Sequence, residues 1–148
     1  GLNSVDGVWE VTGSQSLEWE DLLREFLSAQ PESYEGLYDL DTLVDLLAQN
    51  LLTAWVVFKN ETPVGMVLTS LHTYAPGVHS MKLEFVTCKT FFSLVAILSV
   101  LENWCVEKGI TYIEAIAHPT LAEYAVKKCG FAAPSVYIRK PVALNRRN

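Results

Sequence analysis

The sequence predicts an α/β domain in which short strands are combined with helices. Runs rich in β-branched and aromatic residues alternate apolar and polar side chains, as in Ser80–Thr87. A long apolar stripe at helical spacing follows in Phe91–Lys108, and Gly109 stands where a helix commonly ends. Half of the 148 residues are apolar, so residues 1–148 are expected to form a single domain around one core.

The first third of the chain predicts one strand and two helices. Gly7–Thr12 is typical of a short strand, and Ser16 is placed to cap a helix that Pro31 ends. Asp39 or Asp41 caps a second helix, expected to end near Asn50. The inner faces of the two helices are predicted to be Trp19, Leu23, Phe26 and Leu27 in the first, and Leu40, Leu43, Val44 and Leu47 in the second.

The middle of the chain predicts a hairpin followed by a third strand. Ala54–Lys59 and Val64–Leu71 are β-rich runs separated by a short polar loop. His72–His79 is predicted to be a second loop, and Ser80–Thr87 the next strand. The two histidines that bound the second loop lack the spacing of metal ligands, so no metal site is expected.

The last third predicts a strand at Thr111–His118, a short helix at Thr120–Cys129 and a final strand at Ser135–Lys140. The strands Ser80–Thr87 and Thr111–His118 are joined by the long helix, so they are expected to be parallel. Ligands of such units bind where the strand meets the helix N-terminus, which here is the turn Thr87–Ser93.

Charge and cysteine content exclude several classes of protein. Residues 1–50 hold eleven acids and one base, Arg24, which argues against a general nucleic-acid binder. Three cysteines with no paired spacing (Cys88, Cys105 and Cys129) indicate free thiols in a reducing compartment. No stretch has the length and apolarity of a membrane span, so a cytoplasmic protein without a membrane partner is expected.

Taken together, the segments VVFKNETPVGMVL, FFSLVAILSVLENWCVEKGI and TYIEAIAHP with YAVKKCGF resemble the GNAT (N-acetyltransferase) superfamily. The resemblance covers nearly the whole chain. It implies a mixed, mostly antiparallel twisted sheet of six to seven strands with helices on both faces. The form ENWCVEKGI with CGF is also similar to GNAT-like proteins carried by some phages.

The resemblance implies an activity, a cofactor and site residues. Acetyl-CoA would donate an acetyl group directly to an amine of a small molecule or protein, with Glu84 as the base. His118, predicted to end the fifth strand, is a second catalytic candidate, because a neutral imidazole accepts protons near pH 7. Backbone groups of Phe85, Val86 and Thr87 would hold the cofactor, and its phosphates would lie on the turn formed by Cys88, Lys89, Thr90, Phe91, Phe92 and Ser93.

Two departures from the family pattern support an alternative function. The turn Thr87–Ser93 contains no glycine or arginine, and Val126 stands where many members place a tyrosine. The alternative is therefore a non-catalytic GNAT-fold protein that binds a partner protein. Its interface would be the acidic N-terminal helices, or a cleft filled by Phe91 and Phe92.

Other candidates have ordinary structural explanations that stay open. Glu84 is equally an exposed residue on the polar side of its strand, and His118 is equally a strand-end residue bonded to a loop. Tyr34, Tyr38 and Tyr74 are predicted to lie on loops that border an acceptor site, or simply to anchor those loops.

Overall fold

A computed structural model describes residues 7–11, 19–28 and 39–142. The side chains of Leu27 and Phe91 are outside this description, as are the predicted caps and loops at Ser16, Pro31 and residues 32–38. The chain divides into two compact units, Gly1–Ala115 and Ile116–Asn148, which are described separately below.

The first unit is a five-stranded sheet with three helices. The strands are β1 (Gly7–Val11), β2 (Thr53–Lys59), β3 (Thr62–Ala75), β4 (Val78–Cys88) and β5 (Tyr112–Ala115), and the helices are α1 (Glu20–Ser28), α2 (Leu40–Ala48) and α3 (Phe91–Lys108). The strands are in the order β1-β2-β3-β4-β5. All neighbours are antiparallel except β4 and β5, which are parallel as predicted from the intervening helix.

Helices α1 and α2 cover one face of the sheet. Leucines of both helices join a buried cluster with alternate residues of the strands, and the strand members are Val11, Ala54, Val56, Met66, Leu68 and Phe85. Asp39 caps α2, since its side chain accepts a hydrogen bond from the Thr42 N–H at 2.7 Å. The predicted inner face of α2 is confirmed by the burial of Leu43, Val44 and Leu47.

Helix α3 covers the opposite face. It begins at Phe91 and ends at Lys108, and Gly109 has the left-handed φ of 72° that the predicted glycine cap requires. The ring of Trp104 packs edge-on against buried Trp55 at 5.7 Å between centroids. Trp55 also donates a hydrogen bond from Nε1 to Thr69 Oγ1 at 3.0 Å, which satisfies its only polar atom inside the core.

The predicted loop His72–His79 is wrong. Strand β3 continues to Ala75 and pairs with Val78, so only two residues form the turn between β3 and β4. Gly77 has a φ of 76°, which allows so tight a connection. The hairpin therefore places both His72 and His79 on strands, with their side chains fixed relative to the sheet.

Two expectations about the end of the chain are also corrected. Strand β5 stops at Ala115, because its pairing with β4 covers only Ser80 to Leu83. In the second unit, Ser135–Lys140 is not a strand: Val136 and Ile138 are both exposed, and prolines at both ends of the segment remove backbone donors that a strand would use. The described residues thus form five strands rather than six to seven.

The second unit contains one described helix, α4 (Pro119–Lys128). Pro119 occupies its first position, where the missing N–H costs no hydrogen bond. Gly130 follows with a φ of 76°, consistent with the predicted end of this helix. Over the part of the chain that the structure describes, no helix is long and apolar enough to cross a membrane.

Gly65 of β3 sets the distance between β3 and the turn that follows β4. A Cβ atom at this position would lie 3.0 Å from Cys88 Sγ and 3.5 Å from Ser93 Cβ. We expect Gly65→Ala to lower the free energy of unfolding by about 1–3 kcal/mol, because it overpacks this contact. Removing the sulfur in Gly65→Ala/Cys88→Ala is expected to recover part of the loss, measured by urea denaturation.

The control for this experiment is Gly77→Ala in the β3–β4 turn. An added Cβ there meets no atom within 4 Å, but the φ of 76° makes alanine unfavourable. The loss of unfolding free energy in Gly77→Ala/Cys88→Ala is therefore expected to equal the sum of the losses in the two single variants. Equal coupling of Cys88→Ala with both glycine variants would contradict the packing explanation.

Candidate active site

Strand β4 contains one extra residue at Glu84. The register with β3 passes from Leu68↔Phe85 directly to Thr69↔Leu83, which is a β-bulge. In a regular strand, consecutive side chains point to opposite faces. The bulge instead lets both Glu84 and Phe85 reach the face covered by α1 and α2, and it changes the direction in which Glu84 points.

Glu84 is largely buried among polar side chains. Its side chain is 11% exposed, so the interpretation of Glu84 as an exposed strand residue is wrong. Its Oε1 atom accepts a hydrogen bond from Ser70 Oγ at 2.7 Å. His72 Nε2 lies 3.7 Å from the same oxygen, and Lys82 Nζ lies 3.8 Å from it. A carboxylate in this setting is positioned by its neighbours and partly shielded from water.

A second carboxylate, Glu114 of β5, lies on the same face beside Lys82. Its oxygens accept hydrogen bonds from the hydroxyls of Tyr74, at 2.8 Å, and Ser80. Burial raises the pKa of Glu114, but these hydroxyls, together with His72 and Lys82, outweigh burial and hold that pKa below its ordinary value. Glu114 is therefore an ionised acceptor at neutral pH.

Tyr74 is positioned by both of its neighbours. Its hydrogen bond to Glu114, its partial burial and the charges of Glu114 and Glu84 raise the pKa of the phenol, so it stays protonated at neutral pH. Its ring is stacked on that of His72, at 6.3 Å between centroids and 15° between planes. We use the name polar cluster for Ser70, His72, Tyr74, Ser80, Lys82, Glu84 and Glu114.

Beyond the polar cluster, β4 is no longer paired with β5. The last pair is Leu83↔Ala115, whereas β4 continues to Cys88 and remains paired with β3. The backbone N–H of Lys89 also donates to Val64 O at 2.9 Å, which ties the following turn to β3. Of the predicted cofactor residues, Phe85 is buried in the α1–α2 core, so only its backbone can contact a ligand.

The turn after β4 is closed by a helix cap. Thr90 Oγ1 accepts from the Ser93 N–H at 3.2 Å and lies 3.0 Å from the Ser93 hydroxyl, and Ser93 is buried. The Leu94 N–H donates to Thr90 O. The N–H groups of Phe91 and Phe92 have no acceptor within the helix, as at every helix N-terminus. Exposed Lys89 adds a positive charge directly before them.

Phe92 does not fill the space beside β4. It is 69% exposed, and Lys59 Nζ lies over its ring at 5.3 Å from the centroid. Lys59 ends β2, which lies on the side of β4 away from β5. The Phe92 side chain therefore leans away from the gap beside β4, and a second lysine lies near the start of α3.

Cys88 is a protonated thiol at the same strand end. Burial raises its pKa to about 11, and a backbone hydrogen bond to Met66 offsets only part of that effect. At neutral pH it carries no nucleophilic thiolate. The cysteine therefore contributes shape at this position, through its contact with Gly65.

The remaining predicted residues lie elsewhere or outside the described chain. His118 is exposed and precedes α4 in the second unit, so its expected place at the end of a strand is wrong; Pro119 fixes it in an extended conformation instead. Tyr34 and Tyr38 fall outside the described residues. In the ranges that are described, no three His, Cys, Asp or Glu side chains are close enough to hold a metal ion.

Sequence reasoning missed most of the polar cluster. The sequence predicts a loop at His72, and no motif marks Ser70, Ser80, Lys82 or Glu114 as site residues. The available signal was the alternation of polar residues within apolar strands, as at Ser70 and His72 after the buried Leu68. Such alternation identifies a polar face, but it does not reveal which strands bring their polar residues together.

Comparisons with known proteins bear on the fold. No protein-family model and no curated protein matches the sequence. Among solved structures, an aminoglycoside acetyltransferase from an uncultured soil metagenomic sample, in complex with sisomicin, is 14% identical with a TM-score of 0.68, covering 96% of this chain and 99% of that one.

Two further structures are similar. A predicted acetyltransferase with acetyl-CoA from Clostridium acetobutylicum is 17% identical with a TM-score of 0.64, covering 91% of this chain and 95% of that one. A ribosomal-protein-alanine N-acetyltransferase from Brucella melitensis biovar Abortus 2308 is 15% identical with a TM-score of 0.62, covering 90% and 98%. The chain therefore has the mixed α+β fold of the GNAT acetyltransferases.

Proposed function

We propose that this protein transfers an acetyl group from acetyl-CoA to the amine of a small-molecule or protein acceptor. The observation that carries the proposal is the position of Glu84: a largely buried carboxylate, displaced by a β-bulge at the point where β4 leaves β5. The similar structures with bound acetyl-CoA and with bound sisomicin support a thioester donor and an amine acceptor.

The described residues fit a CoA phosphate at the start of α3. Its first N–H groups and the positive end of the helix dipole favour an anion there, and exposed Lys89 adds charge. The side chain of Phe92 leans away from this position. The absence of glycine in the turn is compatible with such binding, because the Thr90 cap engages the Ser93 N–H and not the first two N–H groups of the helix.

The chain's own residues account for the proton that the reaction releases. Acetyl-CoA, when bound, would supply an acetyl thioester; the acetyl group would pass to the amine nitrogen, and coenzyme A would leave as a thiol that carries the second proton of the amine. The acceptor must lose a proton to become nucleophilic, and Glu84 is placed to take it. Because Cys88 stays a thiol, transfer is expected to be direct, without an acetylated enzyme.

The non-catalytic alternative stays a prediction. It rests on the acidity of residues 1–50, where the one base, Arg24, pairs with Glu20 and Asp41 at 3.1 and 3.0 Å. Phe92, one of the two residues expected to fill the cleft, gives the alternative no support.

The test of this alternative is capture of a partner protein by the wild type and by a variant with Glu18, Glu20 and Asp21 changed to Lys. The phage origin also stays a prediction.

Removing the charge of Glu84 tests the proposed base. Glu84→Gln keeps an oxygen acceptor for Ser70 but cannot take a proton. We expect kcat for acetyl transfer to fall about 10²–10³-fold with little change in the KM of acetyl-CoA. The measurement is coenzyme A release with a panel of amines. Glu107→Gln, an exposed change on α3, is the control. Unchanged turnover in Glu84→Gln would exclude Glu84 as the base.

Reversing charge at the start of α3 tests the cofactor site. We expect Lys89→Glu to weaken acetyl-CoA binding about tenfold, since it places a carboxylate near the phosphates. Calorimetric titration measures the affinity. Lys108→Glu, at the opposite end of the same helix, is expected to bind like the wild type. No heat and no thermal shift at millimolar acetyl-CoA would overturn the proposed function.

The thiol of Cys88 supplies a test of direct transfer. With a pKa of about 11, roughly one molecule in a thousand carries the thiolate at pH 8. We expect iodoacetamide to leave Cys88 unmodified in the native protein at pH 8 and to modify it as the pH rises above 10. Mass spectrometry should detect no acetyl adduct during turnover, and Cys88→Ala should remain active. An acetyl group on Cys88 would contradict direct transfer.

A further inference from the structure

Three groups in the polar cluster form a continuous hydrogen-bonded chain. Ser70 Oγ lies 2.7 Å from Glu84 Oε1 and 2.9 Å from His72 Nε2. An ionised carboxylate only accepts hydrogen bonds, so the single hydroxyl hydrogen of Ser70 is directed to Glu84. Nε2 of His72 must then be the donor to Ser70. These directions describe the resting state, in which Glu84 is ionised.

This hydrogen-bonded chain runs from the interior of the protein to its surface. The Glu84 side chain is 11% exposed, whereas that of His72 is 41% exposed. A proton on Glu84 therefore has little direct access to water, whereas a proton on His72 has such access. A base that is shielded from solvent must return its proton to water before the next turnover, and the hydroxyl between the two groups supplies a connection.

We propose that Ser70 and His72 carry the proton that Glu84 accepts from the amine out to solvent. This inference rests on the proposed acetyl transfer. It assigns catalytic work to two residues beyond the base itself, through proton transfer along hydrogen bonds that the described residues already make.

The proton balance of the relay is complete. The acceptor ammonium gives one proton to the Glu84 carboxylate. Once Glu84 is protonated, exchange with water moves the His72 ring hydrogen from Nε2 to Nδ1, and Nε2 can then accept. The carboxyl group gives its proton to Ser70 Oγ while Ser70 passes its own hydrogen to Nε2, which leaves a Glu84 carboxylate and a His72 imidazolium. Water removes the Nδ1 proton, and the Nε2–H that donates to Ser70 in the resting state is restored.

The imidazole ring of His72 is held from two sides. The Tyr74 ring is stacked on the imidazole and holds its plane, and its hydroxyl is in turn held by Glu114. The ring that receives the proton is thus fixed on one side by Tyr74 and at Nε2 by Ser70.

The same hairpin supplies a matched control histidine. His79 Nδ1 lies 2.9 Å from Thr73 Oγ1, so it also contacts a hydroxyl. Thr73 directly follows His72 in β3, so its hydroxyl lies on the opposite face of the strand, and His79 is outside the polar cluster. His79→Asn therefore removes a histidine and a hydroxyl contact from β4 without interrupting the relay.

The first test uses the free protein and needs no turnover. Nitrogen-15 spectra of the histidine side chains at pH 8 report which ring nitrogen carries hydrogen. We expect His72 to show a hydrogen-bonded Nε2–H in the wild type, which Ser70→Ala abolishes and Ser70→Thr retains. The His72 resonances should be unaffected by His79→Asn. Identical His72 ring shifts in the wild type and in Ser70→Ala would overturn the hydrogen-bonded chain.

The second test measures kcat and KM separately. We expect Ser70→Ala and His72→Phe, which keeps the stacking on Tyr74, to lower kcat about 10–100-fold while leaving KM for the amine within about twofold. Ser70→Thr should restore most of kcat. Added imidazole should rescue His72→Ala but not Ser70→Ala, an effect that loss of a merely structural contact does not produce.

The outcomes separate the relay from the proposed function. If the wild type is active and Ser70→Ala and His72→Phe have the same kcat as the wild type, the relay is overturned. The proposed acetyl transfer is then unaffected. The relay is also overturned if imidazole rescues His72→Ala and Ser70→Ala to the same extent. It is likewise overturned if imidazole does not rescue His72→Ala. A wild type that binds no acetyl-CoA and acetylates no amine overturns the proposed function, and the catalytic use of the relay with it.

Discussion

One extra residue in β4 is the constraint on which the site depends. Without it, Glu84 and Phe85 would point to opposite faces of the sheet, because a regular strand alternates its side chains. With it, Phe85 completes the core beneath α1 and α2, and Glu84 reaches Ser70 at the margin of that core. A bulge also increases the local twist of the sheet. The same irregularity thus positions the carboxylate next to the place where β4 leaves β5.

Strand β4 connects two regions of opposite charge. On one side of the bulge the carboxylates Glu84 and Glu114 are held by hydroxyl groups and by Lys82. On the other side, the strand leads into the positive end of α3, with Lys59 and Lys89 close by. Under the proposed function, an anionic cofactor and a cationic acceptor would bind at complementary ends of this strand. Position along β4, rather than any single motif, would then separate the two binding sites.

Strongly periodic segments were the ones that sequence reasoning predicted well. The bounds of α3, its glycine cap and the parallel pairing of β4 with β5 are confirmed, because each follows from local pattern or chain connectivity. The predicted loop around Gly77 is wrong in its extent, since turn-forming residues indicate a loop but not its length. The last predicted strand failed for a different reason: β-prone residues form a strand only with a hydrogen-bonded neighbour, and Ser135–Lys140 has none among the described strands.

The sequence by itself determined the kinds of element, their order and the turn at which β4 meets α3. It also singled out Glu84, though not the surroundings that give this residue its chemistry. Only the tertiary structure decided that Ser70 contacts Glu84 and that Ser80 contacts Glu114, pairs separated by 14 and 34 residues in the chain. Such contacts depend on the register between strands, and a shift of one residue moves every side chain to the other face. No local pattern encodes a bulge, so the polar cluster became visible only when the strands were paired.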